Sequence, residues 1–126
     1  MRLTLVSCCA WILAGCGGLS VTNQTGKGGN NGPTASLTIQ NYSYAPPSLT
    51  IAVGTKVTWT NKGPAPHSVT SDSTGFDSGA LAAPTGNGYG GMTTGGLFQV
   101  TFNTPGTYGY HCMFHPSTMH GTITVQ

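Results

Sequence analysis

The chain has 126 residues, room for one domain and too little for two ordinary ones. Charged residues make up 5% of it, four Lys or Arg and two Asp with no Glu, against about 25% in a typical soluble domain. That scarcity excludes a nucleic-acid binder, which needs a basic face against phosphates, and paired-carboxylate catalysis, for which only Asp72 and Asp77 are at hand.

Residues 1–15 read as an export signal. Met1-Arg2 supplies a positive charge, residues 3–12 an apolar stretch too short to span a bilayer, and LAGC (13–16) a small-residue cleavage region. LAGC resembles the lipobox of bacterial lipoproteins, which implies cleavage before Cys16 and acylation of that cysteine. Residues 16–33 then form the lipidated Cys and a flexible tether, since GGLSVTNQTGKGGNNGP has no hydrophobic period and is rich in Gly, Asn and Thr. The expected location is outside the cytoplasm, lipid-anchored on the periplasmic side of a membrane or on the cell surface. Cys8 and Cys9 leave with the signal, so Cys112 becomes the single thiol of the folded part. In an oxidising compartment such a thiol needs protection, by a metal or by inert burial.

From residue 34 to 126 the hydrophobic period is two. ASLTIQ, SLTIAV, KVTWTN, HSVTS, LFQVTF, TYGYHC and GTITVQ alternate apolar with small polar residues, and Gly54-Thr55, Gly63-Pro64 and Pro105-Gly106 mark turns between them. No stretch carries a capped helical stripe. The expected fold is all-β, a two-sheet Greek-key sandwich of seven or eight strands, with residues 76–96 largely loop.

The stretch YHCMFHPSTMH (110–120) gathers three His, one Cys and two Met. Residues two apart in a strand share a face. Ile123 and Val125 must face the core, which turns Met119 inward and His120 outward. Tyr108 and Tyr110 carry Cys112 inward and leave His111 outside. Val69 carries His67 inward, with Ser68 opposite. His115 lies in the loop after Cys112, where a turn can fold it back beside the thiol. Two imidazoles, a thiolate and a thioether are the donors of a blue-copper electron-transfer site, whereas zinc rarely takes Met.

With PHSVTSD around His67, the FDSG stretch and PGTYGYHCMFHPSTMHGTITV, the chain resembles the cupredoxins of the plastocyanin, amicyanin and pseudoazurin kind over most of residues 35–126. The resemblance implies one type 1 copper ion held by His67, Cys112, His115 and Met119, and one-electron transfer as the function. Two positions depart from the family pattern. Three residues separate His115 from Met119 where four or two are common, and Ser68 stands where Asn is often found. His120 would restore the spacing of four, but only by turning inward against strand parity.

Pro64, Pro66, Met113, Phe114 and Pro116 are expected to form an apolar rim around His115 for transient docking of a redox donor and acceptor. A monomer without enzymatic activity is expected. The alternative is an extracytoplasmic copper trafficking or storage protein, which would favour open sites and clustered Met. A copper enzyme would need a second copper, for which His111 or His120 of a trimer are the candidate ligands.

Overall fold

The computed structural model describes residues 32–86, 91 and 93–126. The expected signal, Cys16 and the tether as far as residue 31 lie outside the described residues, as does Met92. Eight strands are described: β1 (Thr34–Gln40), β2 (Ser43–Ala45), β3 (Ser48–Ile51), β4 (Thr55–Asn61), β5 (Thr70–Ser71), β6 (Leu97–Phe102), β7 (Gly106–His111) and β8 (His120–Val125). They form two four-stranded sheets, in the orders β2-β1-β4-β6 and β3-β8-β7-β5. β1 runs parallel to β4 and β3 parallel to β8, while the other pairs are antiparallel. The all-β sandwich expected from the period-two runs is the observed fold.

Alternation decides what each sheet buries. In β4, Thr55, Val57, Trp59 and Asn61 are buried and the residues between them are half-buried. In β8, Gly121, Ile123 and Val125 are buried while His120 is exposed. Leu37 and Ile39 of β1 join Val57 and Trp59 on the inner face of one sheet, and Tyr110, Ile123 and Val125 come from the other. Trp59 is fully buried at the centre, its ring 5.6 Å from Tyr110 in a T-shaped contact and 6.0 to 6.4 Å from Phe98, Phe76 and Phe102. Gly121 pairs with Tyr110 across β7 and β8, and a Cβ there would overlap the Tyr110 ring. The bare backbone of Gly121 is what lets this ring lie flat over β8.

Three details differ from the sequence expectation. The turn at residues 41–42 continues into β2, a strand of three residues that is too short to show a period. Only Thr70 and Ser71 of the 67–71 run are in regular pairing; His67 meets Leu81 as an isolated bridge, and Thr70 likewise meets Asp77. Ser68 is fully buried, not on the solvent side as parity suggested, because the chain around it is not a continuous strand and alternation does not carry through. Gly54 makes the turn before β4 with φ 85°, a left-handed backbone that glycine adopts without steric cost.

Candidate metal centre

The site forms at one end of the sandwich, where three segments of the β3-β8-β7-β5 sheet leave regular pairing. Cys112 directly follows β7, Met119 directly precedes β8, and His67 lies three residues before β5. The turn between β7 and β8 closes on itself. His115 N–H donates to the Cys112 carbonyl at 3.0 Å, the His115 carbonyl accepts from Thr118 at 3.2 Å and Met119 at 3.1 Å, and Cys112 N–H donates to the Met119 carbonyl at 3.1 Å. This winding folds His115 back beside the thiol and returns Met119, fully buried, to its neighbourhood. His67 is fixed from another direction. Its N–H and carbonyl both bond to Leu81, at 3.2 and 2.7 Å.

Buried Asn61 at the end of β4 holds both approaches to His67. Its Nδ2 donates to the carbonyls of Ala65, Leu81 and Ala82, and its Oδ1 accepts from Gly63 N–H. With so many partners satisfied, the buried amide is a clamp rather than a liability.

The three donors converge. Cys112 Sγ lies 3.7 Å from His67 Nδ1 and 3.8 Å from His115 Nδ1, and all three ligand atoms lie within 4.8 Å of one another. First-row ions bind imidazole at about 2.0 Å and thiolate at about 2.3 Å, so a trigonal arrangement needs nitrogen and sulfur about 3.7 Å apart. The observed separations meet that requirement. His67 and Cys112 are fully buried and His115 is half-buried, so the centre is dry on one side with a single imidazole reaching the surface.

Two further residues, Asn41 and Tyr42, carry no mark in the sequence, and a third, Ser68, is marked there only as a departure from the family pattern. Asn41 Oδ1 lies 3.1 Å from His67 Nε2 and accepts its proton in the tautomer that leaves Nδ1 free for a metal. Tyr42, with φ 68°, sets its ring edge-on to His115 at 4.8 Å. Ser68 ties the segments together: its N–H donates to Cys112 Sγ at 3.3 Å and its Oγ accepts from Met113 N–H at 2.8 Å. The sulfur's backbone donor thus comes from the His67 segment. Tyr44 Oη donates to the Ser68 carbonyl at 2.5 Å, locking the same segment to β2. Burial pushes the Tyr110 phenol up to about 12 and raises Tyr44 as well, so both rings serve as neutral supports near pH 7. Pro64, Pro66, Met113, Phe114 and Pro116 are all exposed, as an apolar rim requires. His111 is half-buried and His120 exposed.

Burial, and after it the neighbouring His115, holds the His67 imidazole below its usual range. In the unfolded chain it would accept a proton near its ordinary value of about 6.5. The unfolded state therefore binds more protons than the folded one as pH drops through that value, down to the lowered folded pKa. Metal-free protein is expected to lose stability as pH falls through about 6.5 toward the lowered folded pKa, read as a lower denaturant midpoint. A midpoint that does not move would show that His67 is not held neutral by the fold.

A dry His₂Cys cluster at the end of a β-sandwich defines a metal-binding domain of the copper type. The chain belongs to the copper binding proteins of the plastocyanin/azurin family, whose family model matches residues 34–126. Plastocyanin from Scenedesmus fuscus is 39% identical over 84 residues, covering 66% of this chain and 86% of that protein. Amicyanin from Paracoccus denitrificans is 34% identical over 88 residues, covering 70% of this chain and 62% of the amicyanin. Among solved structures, a purple cupredoxin from Nitrosopumilus maritimus superposes with a TM-score of 0.60 at 34% identity, covering 73% of this chain and 99% of that one.

Proposed function

We propose that His67, Cys112 and His115, with Met119 as a weak fourth donor, hold one copper ion, and that the domain carries single electrons between redox proteins. The observation that carries this reading is the pair of sulfur–nitrogen separations, 3.7 and 3.8 Å, in a cluster of two histidines and a cysteine of which His67 and Cys112 are fully buried. Copper bound there would cycle between Cu(II) and Cu(I). The protein's part is to hold the donors still. The bonds to Leu81 and the Asn41 contact both fix His67, and the self-closed turn 112–119 holds Cys112, His115 and Met119 against movement. The Ser68 N–H directed at sulfur withdraws charge from the thiolate and favours the reduced state.

His115 is the exit for the electron, since its half-exposed ring lies at the surface among Pro64, Pro66, Met113, Phe114 and Pro116. Met113 and Phe114 are 48% and 47% exposed, enough apolar surface for a short-lived contact with a partner. With two Asp and four Lys or Arg in the whole chain, docking depends little on electrostatic steering. The sequence supports export and a lipid anchor at Cys16, which would keep a monomeric carrier near membrane-bound partners through the tether.

The test is a visible absorption and EPR spectrum of the Cu(II)-loaded protein. An intense red-region charge-transfer band with narrow copper hyperfine splitting supports the reading. A pale solution with ordinary tetragonal EPR would move copper trafficking or storage ahead. Met119→Leu is expected to keep the band and raise the reduction potential, because an apolar group replaces a donor that favours Cu(II). An unchanged potential would remove Met119 from the ligand set.

A further inference from the structure

The parity that turns Cys112 and Met119 inward turns their neighbours His111 and His120 outward at a single rung. These two histidines are directly paired across β7 and β8, their ring centroids 6.3 Å apart. A third group joins them from the segment after β5. Asp72 Oδ1 lies 2.6 Å from His111 Nδ1, and Asp72 N–H is bonded to the Gly109 carbonyl at 2.9 Å. Gly109 sits two residues before His111 on the same face, and a Cβ there would overlap the Asp72 carboxylate. The bare backbone of Gly109 thus lets the carboxylate fold across the strand to reach the imidazole. The basic residues among those described, Lys56 and Lys62, belong to β4 of the other sheet and to the residue following it.

A lone Asp–His contact on a surface would be an ordinary ion pair. Here the carboxylate occupies Nδ1 of His111 and leaves Nε2 as the donor, the arrangement by which metal-bound histidines are oriented. A second imidazole stands directly across the ladder, its ring centroid 6.3 Å from that of His111. We propose that His111 and His120, with Asp72 orienting His111, form a second metal site on the outer face of the sheet. Its ligand is a divalent cation of borderline character, of which Zn(II) and Cu(II) are the types that imidazole favours. The site is distinct from the His67–Cys112–His115 cluster but covalently continuous with it through the His111–Cys112 and Met119–His120 peptide bonds. An ion held there adds positive charge beside the thiolate, so it binds the reduced copper protein more tightly than the oxidised one. By reciprocity, it raises the copper potential by about 59 mV for each tenfold difference in zinc affinity between the two states.

The test is a zinc titration of the Cu(I)-loaded protein, followed by calorimetry and by NMR of the histidine side chains. One equivalent of Zn(II) beyond the copper is expected, with imidazole shifts confined to His111 and His120. His120→Ala should weaken zinc binding at least about tenfold and Asp72→Asn by about tenfold. The charge-transfer band of the reoxidised variants reports that the copper domain is intact. No zinc bound beyond the copper, shifts at His67 and His115 instead, or affinity unchanged in both variants would overturn the second site. These outcomes are separable from failure of the copper reading, because the shifts identify which histidines bind and the band reports the copper independently.

Discussion

Cys112→Ser is expected to remove the red-region absorption of the copper-loaded protein and to widen its copper hyperfine splitting to that of an ordinary tetragonal ion. The sulfur is the one donor whose loss changes the kind of site. A serine oxygen is harder, remains protonated at neutral pH and matches Cu(I) poorly, so both the charge-transfer transition and the affinity for the reduced ion should go. Geometry adds to the chemistry. Ser68 N–H is placed at 3.3 Å from sulfur, and a shorter C–O bond would draw the acceptor back from it and from both imidazoles. Cys112 is buried and is the free cysteine of the described residues, so within them the comparison reads this sulfur. Persistence of the band in the variant would exclude Cys112 as the source of colour and with it the proposed electron carrier.

The largest expected effect on stability belongs to Trp59→Ala. The indole is fully buried, with the rings of Phe76, Phe98, Phe102 and Tyr110 around it. Truncation leaves a cavity that four separate rings from three different segments cannot close together. The loss should be about 3–5 kcal/mol, a large part of the total stability of a domain this size. At about 4–8 °C per kcal/mol for a small domain, the melting temperature should fall by about 12 °C or more. The copper band should survive at low temperature, because Trp59 donates nothing to the site itself and packs against Tyr110, two residues before Cys112. A fall of only a few degrees would mean that the two sheets are held together chiefly elsewhere.

Much of the site was legible because strand alternation is a local rule. Tyr110 and Ile123 place Cys112 and Met119 inward, and the same rule sends His120 to solvent; His67 is buried as expected, although Ser68 and Val69 beside it are buried as well. The residues that escaped notice act over distance or outside regular strands. Asn41 meets a histidine 26 positions away, and no local pattern marks an amide as the partner of that ring. Asn61 reads as the polar end of a strand, yet its amide gathers two loops at positions 63–65 and 81–82. Ser68 misleads for the opposite reason. Alternation was applied where pairing is reduced to one bridge, so its burial beside the sulfur followed from loop packing rather than from parity. β2 is held by three register pairs with β1 and by the Tyr44 ring, features that three residues of sequence do not advertise.

The backbone of the turn from Cys112 to Met119 is hydrogen-bonded to itself, Ser68 ties its first two residues to the His67 segment, and the ladder beneath it ends at the His111–His120 pair. Residues added or removed between His115 and Met119 would therefore swell or tighten the far side of this arch while the Ser68 tie and the rungs below stay in place. In such a molecule the length of one arch is a tuning peg. Natural or engineered variants can change the distance and angle of the thioether step by step while the instrument's body keeps its shape.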